Sequence, residues 1–151
     1  MENLQQEVEK IRAKYEQDIV NLSDRIWEIA ETRFQEHQSV KVLTTYLREI
    51  GFHVEVGIGG LETAFVAKYG TKGPVIAILG EYDALPGLSQ KAESPVREAF
   101  ENGANGHGCG HNLLGTAGIA AVAIIKELIE QGRIEGQIHY YGCPAEEGGS
   151  G

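Results

Sequence analysis

Between Leu4 and Ile29 the apolar residues Leu4, Val8, Ile11, Tyr15, Ile19, Leu22, Ile26 and Ile29 recur at steps of three and four, with Glu, Lys, Gln and Arg between them. That spacing predicts an amphipathic helix or helix pair over residues 3–31. A second helix is expected with Ser39 as its cap, Val40, Leu43, Leu47 and Ile50 on its inner face, and Gly51 at its end. Both read as scaffold. Three strand-like runs come next, Phe52 to Val56, Thr63 to Tyr69 and Pro74 to Leu79. Gly70-Thr71-Lys72-Gly73 reads as the hairpin turn joining the last two. The unbroken apolar run Val75-Ile76-Ala77-Ile78-Leu79 is expected of a strand covered on both faces.

The pattern then changes abruptly to Gly80-Glu81-Tyr82-Asp83-Ala84-Leu85-Pro86-Gly87, which puts carboxylates at a strand's carboxyl end, where open α/β sheets collect ligands. Residues 87–106 are polar and read as a surface loop, with a short helix around Pro95 to Phe100. Leu113 to Ile129 is apolar on nearly every side, which predicts a largely buried helix closed by Gly132. Its length also makes it a borderline membrane candidate, but Gly115, Thr116, Gly118, Lys126 and Glu127 favour a core helix. Gln137 to Cys143 is a further strand, left by a loop at Pro144-Ala145-Glu146-Glu147-Gly148-Gly149. Strand, helix and strand in that order predict a right-handed crossover in a mixed sheet, and so an α/β fold.

Composition narrows the function classes. A chain of 151 residues is the size of one domain with a real core, and its net charge of −9 argues against nucleic-acid binding and against anionic membranes. The start, Met1-Glu2-Asn3-Leu4-Gln5-Gln6-Glu7, is acidic and polar, and no apolar run approaches the roughly 20 residues of a membrane span. Cys109 and Cys143 are too few for a disulfide framework, so a reducing, cytoplasmic setting is the default expectation.

Chemistry is concentrated in Asn105-Gly106-His107-Gly108-Cys109-Gly110-His111-Asn112 and in Glu146-Glu147. In an extended backbone His107, Cys109 and His111 would project from one side, with glycines allowing close approach of an ion or substrate. Imidazole and thiolate are metal ligands, and paired carboxylates supply a hard ligand and a base for water. Taken singly, each has a plainer role: a buried cysteine, a hydrogen-bonded histidine, a solvated acidic pair. Their co-occurrence at element ends points to a hydrolytic metal site. The Gly57-Ile58-Gly59-Gly60 cluster lacks the Walker lysine and the Rossmann spacing, and reads as a hairpin or loop. Gly149-Ser150-Gly151 lacks the pattern of a serine-nucleophile elbow.

Three blocks, Gly80 to Pro86, Gly106 to Asn112 and Pro144 to Gly148, together resemble the amidohydrolase branch of the dinuclear metallopeptidases, the superfamily of carboxypeptidase G and aminoacylase. Their wording is closest to the branch's p-aminobenzoyl-glutamate hydrolases and β-alanyl dipeptidases. The resemblance implies a three-layer, mixed-sheet, zinc-peptidase-like catalytic domain, of which residues 1–151 would be the amino-terminal part. It implies Cys109, His111 and Glu147 as metal ligands, Glu146 as general base, and Asp83 as an acidic residue supporting the metal site. Glu81 stands where better-known relatives carry a ligand histidine, and His107 matches a position that is not a ligand. Thiolate ligation would make metal affinity fall at acid pH. A Cys109 to Cys143 disulfide stays open under oxidation.

The implied activity is hydrolysis of the amide bond of N-acyl amino acids or dipeptides, p-aminobenzoyl-glutamate-like or β-alanyl, by water activated on manganese or zinc, with two ions and a homodimer in the complete enzyme. Resembling proteins continue well beyond position 151 with further ligand histidines and a dimerisation domain. The chain is therefore expected to be inactive alone. Two other readings stand beside this one: a non-catalytic metal-binding or interaction fragment, and a one-metal enzyme completed by another chain.

Overall fold

The computed structural model describes residues 3–149, so Ser150 and Gly151, where the sequence argues against a serine nucleophile, lie outside the described residues. The amino-terminal periodicity forms one helix, α1 (Leu4–Ile29). Asn3 caps it, accepting from Gln5 N–H, and the Gln6 side chain returns a bond to the Asn3 N–H, which satisfies donors a helix start leaves orphaned. α2 (His37–Glu49) begins two residues before Ser39, so Ser39 is not its cap. The Glu31 carboxylate takes that role from outside the helix, accepting from the Gln38 and Ser39 N–H groups and from the Ser39 hydroxyl.

Four strands follow: β1 (His53–Val56), β2 (Phe65–Tyr69), β3 (Val75–Glu81) and β4 (Gln137–Cys143), with α3 (His111–Glu130) between β3 and β4. β1 and β2 form an antiparallel pair joined through a 3₁₀ turn at Ile58–Gly60, the glycine cluster read as a hairpin connection. The sheet order is β1-β2-β4-β3. This corrects the expected hairpin at Gly70–Gly73: β4 inserts between β2 and β3, antiparallel to the first and parallel to the second. Residues 70–73 still turn the chain, but they span one strand's width. β3, α3 and β4 make the expected parallel crossover within a mixed sheet.

One sheet face carries Phe65, Ala67, Ile138 and Tyr140, and these pack with Ile26 of α1, Leu43 and Leu47 of α2, and Ile119 and Val122 of α3 in the main core. A second cluster joins Ile11 and Tyr15 of α1 to Ala123 and Leu128 of α3. β3 is at the sheet edge, and Val75, Ile76 and Leu79 are 51%, 58% and 65% exposed, which corrects the expectation of a strand covered on both faces. A continuous apolar run reports what a strand is fit to bury; its neighbours decide whether it does. The short helix expected around Pro95 to Phe100 does not form. That stretch is irregular, pinned by Gln90 to the Val96 carbonyl and the Glu98 N–H.

By length and composition α3 could cross a membrane, but it lies against α1, β3 and β4 as a core helix. It begins at His111 rather than Leu113, with Gly110 before it at φ +81°, a left-handed conformation suited to glycine. Gly115 lets it sit close on β3, since a Cβ there would fall 2.4 Å from the Glu81 carbonyl oxygen. Tyr140 donates its hydroxyl to the Gly115 carbonyl across the same contact.

Candidate metal centre

Parallel pairing of β3 and β4 sets their carboxyl ends side by side, with Glu81 opposite Cys143. Asp83 follows two residues beyond β3, and Glu146 and Glu147 open a 3₁₀ turn (Glu146–Gly148) just beyond β4. The first turn of α3 delivers His111 to the same place, preceded by bends at Gly108 and Cys109. Three segments far apart in sequence therefore converge at one sheet end, where α/β folds collect ligands.

His111 is 3% exposed and is oriented by Asp83, itself 1% exposed. Its Nδ1 lies 2.9 Å from Asp83 Oδ1 and 3.1 Å from the Asp83 carbonyl oxygen. Both are acceptors, so Nδ1 carries the proton and donates, and Nε2 turns its other side to the site. There Nε2 meets Glu81 Oε2 at 3.1 Å and Glu146 Oε2 at 3.8 Å. The second Asp83 oxygen accepts from the Glu147 N–H at 3.0 Å, so one buried carboxylate ties the histidine to the glutamate turn.

Two donor groups result. The ligand atoms of Cys109, His111 and Glu147 lie within 4.8 Å of one another, and so do those of Glu81, His111 and Glu146. Burial, with the neighbouring Glu146, Asp83 and Glu147 charges against it, pushes the Glu81 carboxyl up, opposed by His111. Desolvation and the Glu147 carboxylate likewise push the Cys109 thiol up, as do Glu146 and Glu81. Among the described residues no lysine or arginine pairs with these carboxylates. Glu147 Oε1 is buried without a hydrogen-bond partner. A thiol, an imidazole nitrogen and an orphaned carboxylate oxygen gathered in a negative field are the donor chemistry of a divalent transition metal, and the residues present fit one.

The spatial arrangement differs from the extended His107-Cys109-His111 ladder read from spacing. Cys109 and His111 come together, but through a bend and a helix start, and His107 turns away to the Ile26 carbonyl oxygen at 3.1 Å. Burial lowers the His107 pKa. Asn105 bonds the Ala30 carbonyl nearby, so this segment is latched onto the end of α1. Both cysteines are free. Cys143 is half-buried, its thiol pushed up by burial and Glu81. A cleft of about 760 Å³, walled by Trp27, Ile29, Leu88, Phe100 and His107, includes none of the donor residues.

The sequence places Glu81 at the carboxyl end of β3 with its role open, and the fold shows it facing His111. Residue spacing missed Glu36, a carboxylate with 0% exposure that no periodicity marks out.

Comparison with known proteins places this geometry. The sequence profile described as "Peptidase family M20/M25/M40" matches residues 77–151, the span holding all three motif blocks. One of the subunits of the p-aminobenzoyl-glutamate hydrolase of Escherichia coli (strain K12) is 47% identical over 95% of this chain and 29% of its own length. Thermostable carboxypeptidase 1 of Saccharolobus solfataricus is 32% identical over 99% of this chain and 36% of its own length. The chain thus spans about a third of the length of the curated relatives it matches. The crystal structure of the Bacillus subtilis YXEP protein, described as a dinuclear metal binding peptidase, superposes with a TM-score of 0.71 at 27% identity, over 89% of this chain and 36% of that one. Mixed sheet, motif order and sequence profile agree, and the chain belongs to peptidase family M20/M25/M40.

Proposed function

We propose that this chain carries the metal-holding and proton-transfer groups of a metal-dependent amidohydrolase that cleaves the amide bond of a small N-acyl amino acid or dipeptide, of the p-aminobenzoyl-glutamate or β-alanyl kind. The observation that carries the reading is the convergence of Cys109, His111 and Glu147 donor atoms within 4.8 Å, with Glu146 immediately before Glu147 in the chain. The activity for which the Escherichia coli relative is named supports the substrate class.

In this reading Cys109, His111 and Glu147 hold a divalent ion, manganese or zinc, and Asp83 keeps the His111 Nε2 lone pair aimed at it. The ion supplies a more acidic water and a polarised scissile carbonyl. Glu146, with its side chain 49% exposed and an oxygen 3.8 Å from His111 Nε2, accepts the proton of the attacking water and returns it to the departing amine. The two donor groups share His111, so among the described residues they offer a place for one ion. The second ion, the homodimer and full turnover belong to the complete enzyme, for which a cytoplasmic location is proposed.

The test is metal stoichiometry by elemental analysis, with hydrolysis of p-aminobenzoyl-glutamate assayed with and without a supplied carboxyl-terminal half. One bound ion per chain, and turnover only in the complemented sample, is expected. A metal-loaded complex that stays inert overturns the enzyme reading and leaves the non-catalytic metal-binding one.

A further inference from the structure

We infer that Glu36 is a positioning residue for the glutamate turn, holding Glu146 and Glu147 in place from the opposite side to Asp83. The inference rests on the proposed roles of those two glutamates.

Glu36 precedes α2 and is 0% exposed. Its Oε1 accepts from the Phe34 N–H at 3.0 Å and from the Ala145 N–H at 2.9 Å, and its Oε2 accepts from the Thr63 hydroxyl at 2.9 Å. Asp83, equally buried, accepts from the Glu147 N–H. The N–H groups on either side of Glu146 are thus each held by a buried carboxylate, one anchored at the start of α2 and the other beyond β3. Those N–H groups open a 3₁₀ turn, where the turn's own hydrogen bonds leave donors free. The grip also explains the backbone: Ala145 is 0% exposed and left-handed at φ +59°, a conformation that non-glycine residues keep only when the surroundings impose it.

A fully buried carboxylate is costly unless donors satisfy it. Here three donors do so, and among the described residues no cation is paired with it. What the placed acceptor oxygens do is fix the backbone on one side of Glu146, a residue whose own side chain is half exposed. The second link runs through Thr63, whose carbonyl accepts the hydroxyl of buried Tyr82 at 2.5 Å, and Tyr82 precedes Asp83 in the chain. Glu36 therefore reaches both ends of the grip.

The experiment uses the full chain and two readouts. Amide hydrogen exchange of the metal-free protein comes first. Wild type protects the Ala145 and Glu147 amides, and Glu36→Ala speeds exchange at both, across Glu146. Glu36→Asp, which keeps the charge but withdraws it by one methylene, gives the same loss should the alanine variant fold poorly. Glu36→Gln, which retains one acceptor oxygen, restores protection. The second readout is Co²⁺ affinity: Glu36→Ala weakens it about tenfold, the usual size of an outer-shell effect. Ile11→Ala, a destabilised control in the distant second core cluster, leaves it unchanged. Faster exchange confined to Ala145, or equal loss of affinity in the Ile11 control, overturns the proposal. A wild-type chain that binds no Co²⁺ overturns the proposed metal site, while the exchange data still decide the role of Glu36.

Discussion

His111 Nδ1 and Asp83 Oδ1 lie 2.9 Å apart in a pair that is 3% and 1% exposed, and the other Asp83 oxygen holds the Glu147 N–H. A single buried carboxylate therefore sets the tautomer of one donor and the backbone of another. Asp83→Asn keeps the size but offers an amide where an acceptor is needed. Metal affinity is expected to fall 10- to 100-fold, about 1.4–2.7 kcal/mol. Calorimetric titration of Zn²⁺ or Mn²⁺ checks this, and an unchanged dissociation constant removes Asp83 from the site.

Glu146 is adjacent to a donor in sequence without sharing its group of three with Cys109. Glu146→Gln should bind metal as wild type does, and in a complete enzyme should lose roughly 10²- to 10⁴-fold in kcat, the range of a general base. Elemental analysis and initial rates on one preparation separate the two effects. A variant that keeps its rate assigns the base elsewhere.

Close approach of α3 to β3 depends on Gly115. A Cβ there would stand 2.4 Å from the Glu81 backbone oxygen, and backbone cannot swing aside as a flexible side chain can. Gly115→Ala is expected to destabilise by about 1–3 kcal/mol, as overpacking does, and to displace the end of β3 that carries Glu81. Urea unfolding at constant m-value would measure the loss.

The Glu127 carboxylate accepts from Lys14 Nζ at 2.5 Å and from the Tyr15 hydroxyl at 2.6 Å, joining α3 to α1. These hydrogen bonds, Lys14 first, hold its pKa below the usual carboxylate range, against a smaller opposing effect of burial. A carboxylate whose folded-state pKa is depressed contributes stability above its unfolded value and loses it as pH falls through the folded one. Glu127→Gln should therefore cost about 1 kcal/mol near neutrality, a modest figure because Lys14 is exposed to solvent. The gap in melting temperature from wild type should begin to close as pH falls below about 4, where the unfolded carboxyl is protonated, and should vanish only once pH has passed below the depressed folded-state pKa. A gap that persists at low pH would mean that packing rather than charge is responsible.

Much was legible before the fold was known, and the reason is that it is local. The 3.6-residue spacing from Leu4 to Ile29 became α1, the apolar Leu113 to Ile129 run became the core of α3, and the motif blocks fell at strand and helix ends. Each of these depends on neighbours within a turn or a few residues, which periodicity records. The mixed α/β class followed from the order of those elements.

Pairing and burial depend on partners distant in the chain, and periodicity is silent about them. Val75 to Leu79 was apolar enough for a covered strand, yet the fold set it at the sheet edge; Gly70 to Gly73 looked like a hairpin turn, yet β4 entered between the strands it joins. The donor cluster shows the same division. Residue types named Cys109, His111, Asp83, Glu146 and Glu147 as candidates, but a bend and a helix start, not an extended ladder, bring the first two together. Glu36 could not be read at all, because its meaning lies in the Ala145 N–H, 109 positions away. The sequence by itself determined which groups were available and which elements would carry them. Only the tertiary structure decided which of them meet, since a buried carboxylate has a role only through the donors that the fold brings to it.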